Sequence, residues 1–222
     1  MQIIWHGQSC FQILASRGKN NQVSIVTDPF SPETGLKVPD LEADILLVSH
    51  QHSDHNNVKA VSASPGASPI FLINGPGEYE AKNVFLEGIA SFHDNCQGKE
   101  RGENTIYTIE VEDLKICHLG DLGQKELTDE QLEKIGEVDI LMIPVGGIYT
   151  ISAREAPKIL EQLEPKITIP MHYAIPKLKI KLEALDKFLK VFGIKNLEPI
   201  KKLSIKKKDL SPEEAKIVVL KP

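Results

Sequence analysis

The sequence has few cysteines and no long apolar run. Its three cysteines, Cys10, Cys96 and Cys117, are odd in number and far apart, so they favour neither a disulfide framework nor a zinc ribbon. No apolar run approaches the roughly 20 residues needed to cross a bilayer. The first residues also show no basic segment followed by an apolar one. We therefore expect a cytoplasmic protein without a membrane span.

An excess of positive charge is absent as well. The chain carries 26 lysines and arginines against 31 aspartates and glutamates, a formal net charge of −5. This balance argues against nonspecific binding of nucleic acid by the protein as a whole. The lysine-rich segment 200–208 alternates its lysines with Leu203 and Ile205, which is typical of a protected edge strand. We expect a small-molecule substrate and no nucleic-acid partner.

Length and composition predict one soluble domain covering residues 1–222, with 41% hydrophobic and 26% charged residues. Many short apolar or β-branched runs are separated by turn residues, which is the pattern of strands. Predicted strands cover residues 3–5, 10–14, 23–26, 45–48, 70–73, 84–89, 105–111, 114–119, 138–144 and 166–170.

Four helices are expected between and after these strands. A short one covers 56–63 and ends near Pro65. Thr128 and Gln131 form a capping box for a second helix, which ends at Gly136. A third helix begins later than Ser152, because Pro157 removes an amide that the earlier start needs. The last is marked by Leu182, Leu185, Phe188 and Leu189 and ends at Gly193.

Two stretches of the sequence are near copies of each other. Residues 43–48 and 138–143 both read Ala/Val-Asp followed by four apolar residues, and both lead into a loop. A two-fold repeated architecture, with strands first and helices later in each half, would produce this match. Chance agreement over so short a stretch is the alternative.

Four potential metal ligands fall within six residues, directly after the apolar run 45–48. They are His50, His52, Asp54 and His55, and their side chains suit zinc, iron, manganese or nickel. In an extended segment His50 and His52 point to the same side, and the other two follow after a short turn. Burying such groups unpartnered costs about 1–3 kcal/mol each. The pattern predicts a metal site rather than a merely histidine-rich exposed loop.

Three more candidate ligands occupy equivalent positions further along the chain. His93, Asp121 and His172 each follow an apolar run, as His50 does. This repeated placement at the ends of predicted strands indicates that the side chains converge on one site.

The order His-x-His-x-Asp-His, then His, then Gly-Asp, then His resembles the metallo-β-lactamase fold superfamily. The stretches 5–10, 75–80, 118–121 and 144–147 are similar to its branch of Zn-dependent hydrolases of β-lactamase fold. The likeness covers about residues 1–192. It implies an α/β (α+β) protein with a four-layer αββα sandwich and a site at one edge of the sheets.

The resemblance also implies a dinuclear centre of two divalent metal ions, with zinc expected and manganese or iron as alternatives. One ion would be held by three histidines, the other by three residues, and an aspartate would bridge them: His50, His52 and His93; Asp54, His55 and His172; and Asp121.

The expected chemistry follows from charge. Two divalent ions, two carboxylates and one bridging hydroxide sum to about +1, which favours an anionic substrate or transition state. A bound water whose pKa falls toward about 7 supplies hydroxide at neutral pH. Asp54 is expected to orient it or to pass a proton to the leaving group. We predict hydrolysis of an ester, lactone or phosphodiester in a small anionic molecule.

Four further residues are candidates for supporting roles. Asp28 stands at a strand end and is expected to accept the second N–H of a ligand histidine, unless it is an ordinary turn residue. His6 and His118 either touch substrate or form hydrogen bonds in the core. Tyr173 either donates to an oxyanion or packs.

Three other functions compete with this prediction. A nuclease of the same fold generally adds a module to hold the strand, and this chain has few residues to spare. Redox di-iron relatives typically place a carboxylate where His52 stands. A non-catalytic binding module usually loses ligands, whereas all seven positions are filled here. Specificity is expected in loops 29–40, 74–83, 94–103 and 146–152, and the sequence leaves open whether the protein is a homo-oligomer.

Overall fold

Short apolar strands, of which the central ones are almost entirely buried, form the first of two large sheets. The computed structural model describes residues 1–16, 22–64, 69–211 and 214–222. Six of its strands belong to this sheet: β1 Gln2–Gly7, β2 Cys10–Ser16, β3 Gln22–Thr27, β5 Ile45–Leu47, β7 Phe71–Ile73 and β14 Leu203–Ser204. They lie in the order β14-β1-β2-β3-β5-β7. The lysine-rich tail segment therefore supplies an edge strand, as its alternation predicted.

The second sheet contains seven strands: β8 Gly77–Ala81, β9 Val84–Phe92, β10 Glu103–Val111, β11 Leu114–His118, β12 Ile140–Pro144, β13 Ile167–Met171 and β15 Lys216–Ile217. They lie in the order β15-β13-β12-β11-β10-β9-β8. Neighbouring strands from β8 to β11 are antiparallel, whereas β11, β12, β13 and β15 are parallel. Because β9 runs in the same direction as β11 and β13, their carboxyl ends meet at one edge of the sheet.

Three α-helices are present in the described residues: α1 Asp129–Ile135, α2 Ala156–Leu163 and α3 Leu185–Val191. The capping box predicted at Thr128 is confirmed, because Gln131 and Thr128 exchange backbone-to-side-chain hydrogen bonds of 3.0 and 3.2 Å. Helix α2 begins after Ser152, with Pro157 in its first turn. No helix in the described ranges is long and apolar enough to cross a membrane.

The predicted helix at 56–63 is wrong. The structure has a single 3-10 turn at Val58–Ala60, followed by strand β6 Val61–Ala63, which pairs with β4 Leu41–Ala43. Val61 is β-branched and buried, and it belongs to one buried cluster with Leu41 of β4 and Leu46 of β5 in the first sheet. This tertiary packing outweighs the weak local helix preference. The end predicted near Pro65 lies outside the described residues.

The main hydrophobic core combines side chains from both large sheets. Trp5 and Ile25 from the first sheet and Ile106 and Ile140 from the second are at most 1% exposed and belong to the same buried cluster. The buried faces of the helices join it, Phe188 of α3 among them. The α/β sandwich predicted from the sequence is confirmed. In the described residues of the first half of the chain, the small β4–β6 sheet occupies the place where a helix was expected.

The two near copies in the sequence occupy corresponding positions in the two sheets. The N–H of Asp44 donates to the carbonyl of Ser24 at 2.8 Å, and its Oδ2 accepts from the Ser24 N–H at 2.9 Å. In the second sheet, Asp139 makes the same pair of bonds with Lys115, both at 2.9 Å. Each aspartate thus joins two neighbouring parallel strands at the start of a buried strand.

Candidate metal centre

The histidine-rich segment forms a tight turn at the carboxyl end of β5. Strand β5 ends at Leu47, and residues 49–55 bend rather than continue as an extended chain, so the predicted extended segment is wrong. The N–H groups of His55 and Asn56 both donate to the carbonyl of His52, at 2.9 and 3.1 Å. The N–H of Thr105, on β10, donates to the Ser49 carbonyl at 2.8 Å. The turn is thereby fixed between the two sheets.

Three histidines form the first group of potential ligands. One nitrogen from each of His50, His52 and His93 lies within 4.8 Å of the others. The ring centroids of His50 are 4.7 Å from those of both other residues. His50 and His93 are buried, whereas His52 is exposed. One side of this group is therefore open to solvent.

Four residues form the second group, Asp54, His55, Asp121 and His172, whose ligand atoms also lie within 4.8 Å of one another. The Oδ2 atom of Asp121 is 3.3 Å from the Nε2 atom of each of His55, His93 and His172. His93 belongs to the first group. One carboxylate oxygen therefore contacts imidazoles of both groups, and the structure brings all seven predicted ligands together.

The donor set fits divalent cations. Buried nitrogens of four histidines have no hydrogen-bond partner: Nε2 of His50 and His55, and Nδ1 of His93 and His172. A buried polar atom without a partner costs about 1–3 kcal/mol. Imidazole nitrogens and carboxylate oxygens are the ligands that zinc and similar ions accept. Cations bound to the Nε2 atoms of His50 and His55 would remove this cost for two of these four nitrogens.

Electrostatics keeps most of these groups in the form that binds cations. Burial lowers the pKa of His50 to about 3, and the neighbouring His55 lowers it as well. For His55 burial acts in the same direction, but the carboxylates of Asp121 and Asp54 outweigh it and raise its pKa well above the usual value. Burial would raise the pKa of Asp121, yet the imidazoles of His172 and His55 hold it well below its usual range. At neutral pH the carboxylates are charged and His50 is neutral.

Asp28 holds the turn and one of its histidines in place. Its Oδ2 accepts hydrogen bonds from Nδ1 of His55 at 3.1 Å and from the Ser49 hydroxyl at 2.7 Å, while its Oδ1 accepts from the Ser49 N–H at 2.7 Å. An N–H at Nδ1 leaves Nε2 of His55 available toward Asp121. Asp28 therefore makes the contact that the sequence predicted for it.

Two glycines allow the backbone to come close to the centre. Gly120, with φ +56°, precedes Asp121, and a Cβ there would lie 2.4 Å from the Asn104 side-chain oxygen. A Cβ on Gly146 would lie 2.1 Å from the carbonyl oxygen of His172. A larger residue would displace the Asn104 and Ser49 side chains at Gly120 and the backbone of His172 at Gly146.

Three residues at the centre adopt left-handed backbone conformations although none is glycine. Gln8, Asp28 and His172 have φ values of 50°, 42° and 51°. Such a conformation costs roughly 1–2 kcal/mol per residue. A hydrogen bond of 3.1 Å from the His172 N–H to the Gln8 carbonyl ties two of them together. Strain collected at one place is typical of functional sites.

The structure adds site residues that the sequence analysis missed. Nε2 of Gln8 donates to Oδ2 of Asp54 at 3.2 Å and lies 3.3 Å from Nε2 of His172. The hydroxyl of Ser9 donates to Oδ1 of Asp121 at 3.3 Å. Asn104 accepts the Asp121 N–H at 2.9 Å. The sequence analysis included Gln8 and Ser9 only within the stretch 5–10 that resembles the family, and it assigned no role to either residue.

Three of the predicted supporting residues point elsewhere. His118 is buried, and its Nδ1 accepts the Gly120 N–H at 3.1 Å while its Nε2 lies 3.0 Å from the Ser9 carbonyl oxygen. His6 and Tyr173 line a separate cavity of about 820 Å³. The Tyr173 ring packs 5.0 Å from that of Trp5. For His118 and Tyr173 the structure therefore agrees with the packing alternatives.

A cavity of about 260 Å³ leads to the two groups of ligands. Its wall contains five of the predicted ligands and three residues from other segments: His52, Asp54, His93, Asp121 and His172, with Arg101, Tyr149 and Ile180. This volume lies slightly below the roughly 300–1,000 Å³ that is usual for drug-sized ligands. The cavity is therefore suited to a small molecule.

Fold and site together define a domain of the metallo-β-lactamase type. The β-lactamase superfamily domain family matches residues 2–172 of the chain. All seven clustered residues, from His50 to His172, fall within that range. The chain belongs to this family, as its sequence pattern predicted.

Two relatives and one solved structure show which members of the family this chain is similar to. A protein of Thermoplasma volcanium named a metal-dependent hydrolase is 35% identical over 197 residues, covering 78% of this chain and 83% of the relative. A protein of Enterococcus faecalis, also named a metal-dependent hydrolase, is 30% identical over 199 residues, covering 78% of this chain and 86% of the relative. A Thermotoga maritima crystal structure, described as a candidate Zn-dependent hydrolase of the metallo-β-lactamase superfamily, is 38% identical with a TM-score of 0.77 and covers 99% and 97%.

Proposed function

We propose that this protein is a dinuclear metal-dependent hydrolase that cleaves an ester, lactone or phosphodiester bond in a small anionic molecule. The observation that carries the proposal is the position of Asp121, whose Oδ2 lies 3.3 Å from imidazole nitrogens of both ligand groups. One carboxylate between two groups of ligands is the arrangement that a pair of cations requires. The similarity to named metal-dependent hydrolases supports the same reaction class.

The ligands divide between the two ions according to their positions. The first ion would be held by His50, His52 and His93, and the second by Asp54, His55 and His172, with Asp121 between them. When bound, divalent cations supply Lewis acidity, which makes water acidic and polarises a substrate oxygen.

Charge at the centre favours anions. Two divalent ions and the two carboxylates of Asp54 and Asp121 would leave an excess of about two positive charges before water or substrate binds. Burial of Asp121 and His55 places these charges away from bulk solvent, so their attraction for an anion is weakly screened. Esters and phosphodiesters develop negative charge on oxygen as they are cleaved, which the same field stabilises.

Asp54 is the residue of this chain best placed to handle a proton. Its side chain is 18% exposed and faces the cavity, whereas that of Asp121 is 3% exposed. Its Oδ2 accepts a hydrogen bond from Gln8, which holds the carboxylate in one orientation. In the proposed reaction Asp54 orients the attacking water and passes a proton to the leaving group.

The site argues against the alternatives of a nuclease and of a redox protein. A cavity of about 260 Å³ has no room for several nucleotides, and the protein is acidic overall. Position 52 holds a histidine, whose imidazole completes a three-histidine group. A three-histidine group suits zinc hydrolysis, as in other catalytic zinc sites with three histidines.

The test is a substrate panel on protein loaded separately with zinc, manganese or iron. We expect metal-dependent turnover of at least one small ester, lactone or phosphodiester, and its loss in Asp54→Asn even when added metal refills the weakened second site. His118→Gln serves as the matched control, because His118 lies near the centre but outside the ligand groups. Fully metal-loaded wild type that cleaves no member of the panel would contradict the proposal.

A further inference from the structure

One arginine faces the cavity beside the ligand groups. Arg101 and Tyr149 both line it, and the guanidinium carbon of Arg101 lies 4.9 Å from the centre of the Tyr149 ring. A guanidinium over an aromatic face is held there by cation–π attraction. One of its nitrogens also donates to the Ile148 carbonyl at 3.5 Å. The two side chains thus form a pair at the cavity wall.

The positive charge of Arg101 has no acidic partner in the parts of the chain that the structure describes. The carboxylates of Asp54 and Asp121, which line the same cavity, contact the histidines of the centre instead. By contrast, Lys134 and Glu130 on α1 pair at 2.8 Å. An arginine without an acidic partner at a cavity wall keeps its remaining N–H donors available for a ligand.

The segment that carries Arg101 is fixed by a single buried carboxylate. Asp94 accepts four backbone hydrogen bonds of 2.8–2.9 Å, from the N–H groups of Cys96, Gly98, Glu100 and Arg101. Desolvation would raise the pKa of Asp94, but these donors, the Arg101 N–H foremost, hold it below its usual range. The backbone of Arg101 is therefore set in place before any ligand arrives, which reduces the entropy lost on binding.

We propose that Arg101, supported by Tyr149, binds an anionic group of the substrate other than the group that is cleaved. This inference rests on the proposed function and narrows its substrate class to small molecules with a carboxylate or phosphate near the scissile bond. The planar guanidinium binds either group through two parallel hydrogen bonds. The small cavity volume keeps that group and the scissile bond close together.

The experiment compares two esters that differ in one group. Mono(4-nitrophenyl) succinate carries a terminal carboxylate where 4-nitrophenyl butyrate carries a methyl group. Zinc-loaded wild type is expected to favour the succinate ester, and Arg101→Ala to lower the ratio of their kcat/KM values by about 10- to 100-fold. Arg101→Lys should give a ratio between those of the wild type and Arg101→Ala, because lysine keeps the positive charge but lacks the paired N–H donors of the guanidinium. The control is Arg154→Ala, at an exposed arginine outside the cavity wall.

Separate measurements test the role of Tyr149 and the type of anion that Arg101 binds. Tyr149→Phe keeps the ring and should leave the ratio within about twofold, whereas Tyr149→Ala should lower it. Inhibition by inorganic phosphate and by acetate is measured in wild type and Arg101→Ala, and the anion whose inhibition weakens more identifies the group. A ratio that Arg101→Ala leaves unchanged, with neither inhibition altered, would overturn the proposal.

Failure of the proposed function is recognised separately. If the zinc-loaded wild type cleaves neither ester, titration calorimetry with succinate still measures anion binding without turnover. Weaker succinate binding by Arg101→Ala than by Arg154→Ala supports the anion site even then. Equal binding by the two variants overturns it.

Discussion

Nδ1 of His55 lies 3.1 Å from Oδ2 of Asp28, and both side chains are almost completely buried. This contact directs Nε2 of His55 toward Asp121 and sets the imidazole tautomer. The same carboxylate binds the backbone and hydroxyl of Ser49, at the start of the histidine-rich turn. One buried aspartate therefore fixes both the turn and a ligand on it.

Replacing Asp28 should weaken metal binding without touching a ligand. We expect Asp28→Asn to lower the affinity for the second ion by about 10- to 100-fold, the usual effect of losing a partner of a ligand histidine. Competition with a chromogenic chelator measures this affinity. Asp40→Asn, at an exposed aspartate, is the control. Equal affinities in the two variants would show that the Asp28–His55 contact does not support the ligand.

Gln8 should act on the second ion more than on the first. Its Nε2 lies 3.2 Å from Asp54 and 3.3 Å from His172, and both belong to the second group. Gln8→Ala removes the hydrogen bond that orients Asp54, so the second step of a zinc titration should weaken while the first stays unchanged. Gln12→Ala is the matched control, since Gln12 bonds Ser24 away from the centre. Equal weakening of both steps would refute this role.

Asp139 should contribute to stability and not to activity. Its Oδ2 accepts the Lys115 N–H at 2.9 Å, and it pairs with Lys207 at 2.8 Å. Asp139→Ala should lower the free energy of unfolding by about 1–3 kcal/mol, because it leaves a backbone donor without its partner. Lys207→Ala removes only the ion pair and should cost less than about 1 kcal/mol. Urea unfolding measures both, and metal content should stay unchanged.

Removal of metal should destabilise the protein. The centre packs histidines with unpartnered buried nitrogens against Asp121, so bound cations stabilise the native state. A site saturated at about a thousand times its Kd gains roughly 4 kcal/mol. Thermal unfolding should therefore shift to lower temperature with chelator and recover with added zinc. His50→Ala combined with His172→Ala should show no such shift; a zinc-dependent shift in that variant would place the stabilising ions elsewhere.

The strand ladder and the ligands could be predicted from the sequence because each follows a local pattern. Apolar runs ended by turn residues locate strands such as β12. Each segment that carries ligands begins directly after such a run, as the one with Asp121 does. Strand direction then brings these run ends to one edge of the sheets. The predictions agree with the structure where residues close in sequence determine both the strand and the position of the side chain that follows it.

Other features depend on contacts between distant segments, and the sequence does not reveal them. Residues 61–63 became a strand because they pair with 41–43, about twenty positions earlier. Gln8 reaches the centre through a hydrogen bond with His172, 164 positions away. Arg101 was included only within a loop expected to set specificity, because nothing local to it indicates which way its side chain points.

The central claim is that seven side chains hold two cations with Asp121 between them. Anomalous diffraction at the zinc edge, from crystals of the zinc-loaded protein, tests it most directly. We predict two peaks, one within about 2.0–2.2 Å of nitrogens of His50, His52 and His93, the other equally close to Asp54, His55 and His172. Both should lie within coordination distance of Asp121. A single peak, or two peaks with Asp121 bound to only one of them, would contradict the account.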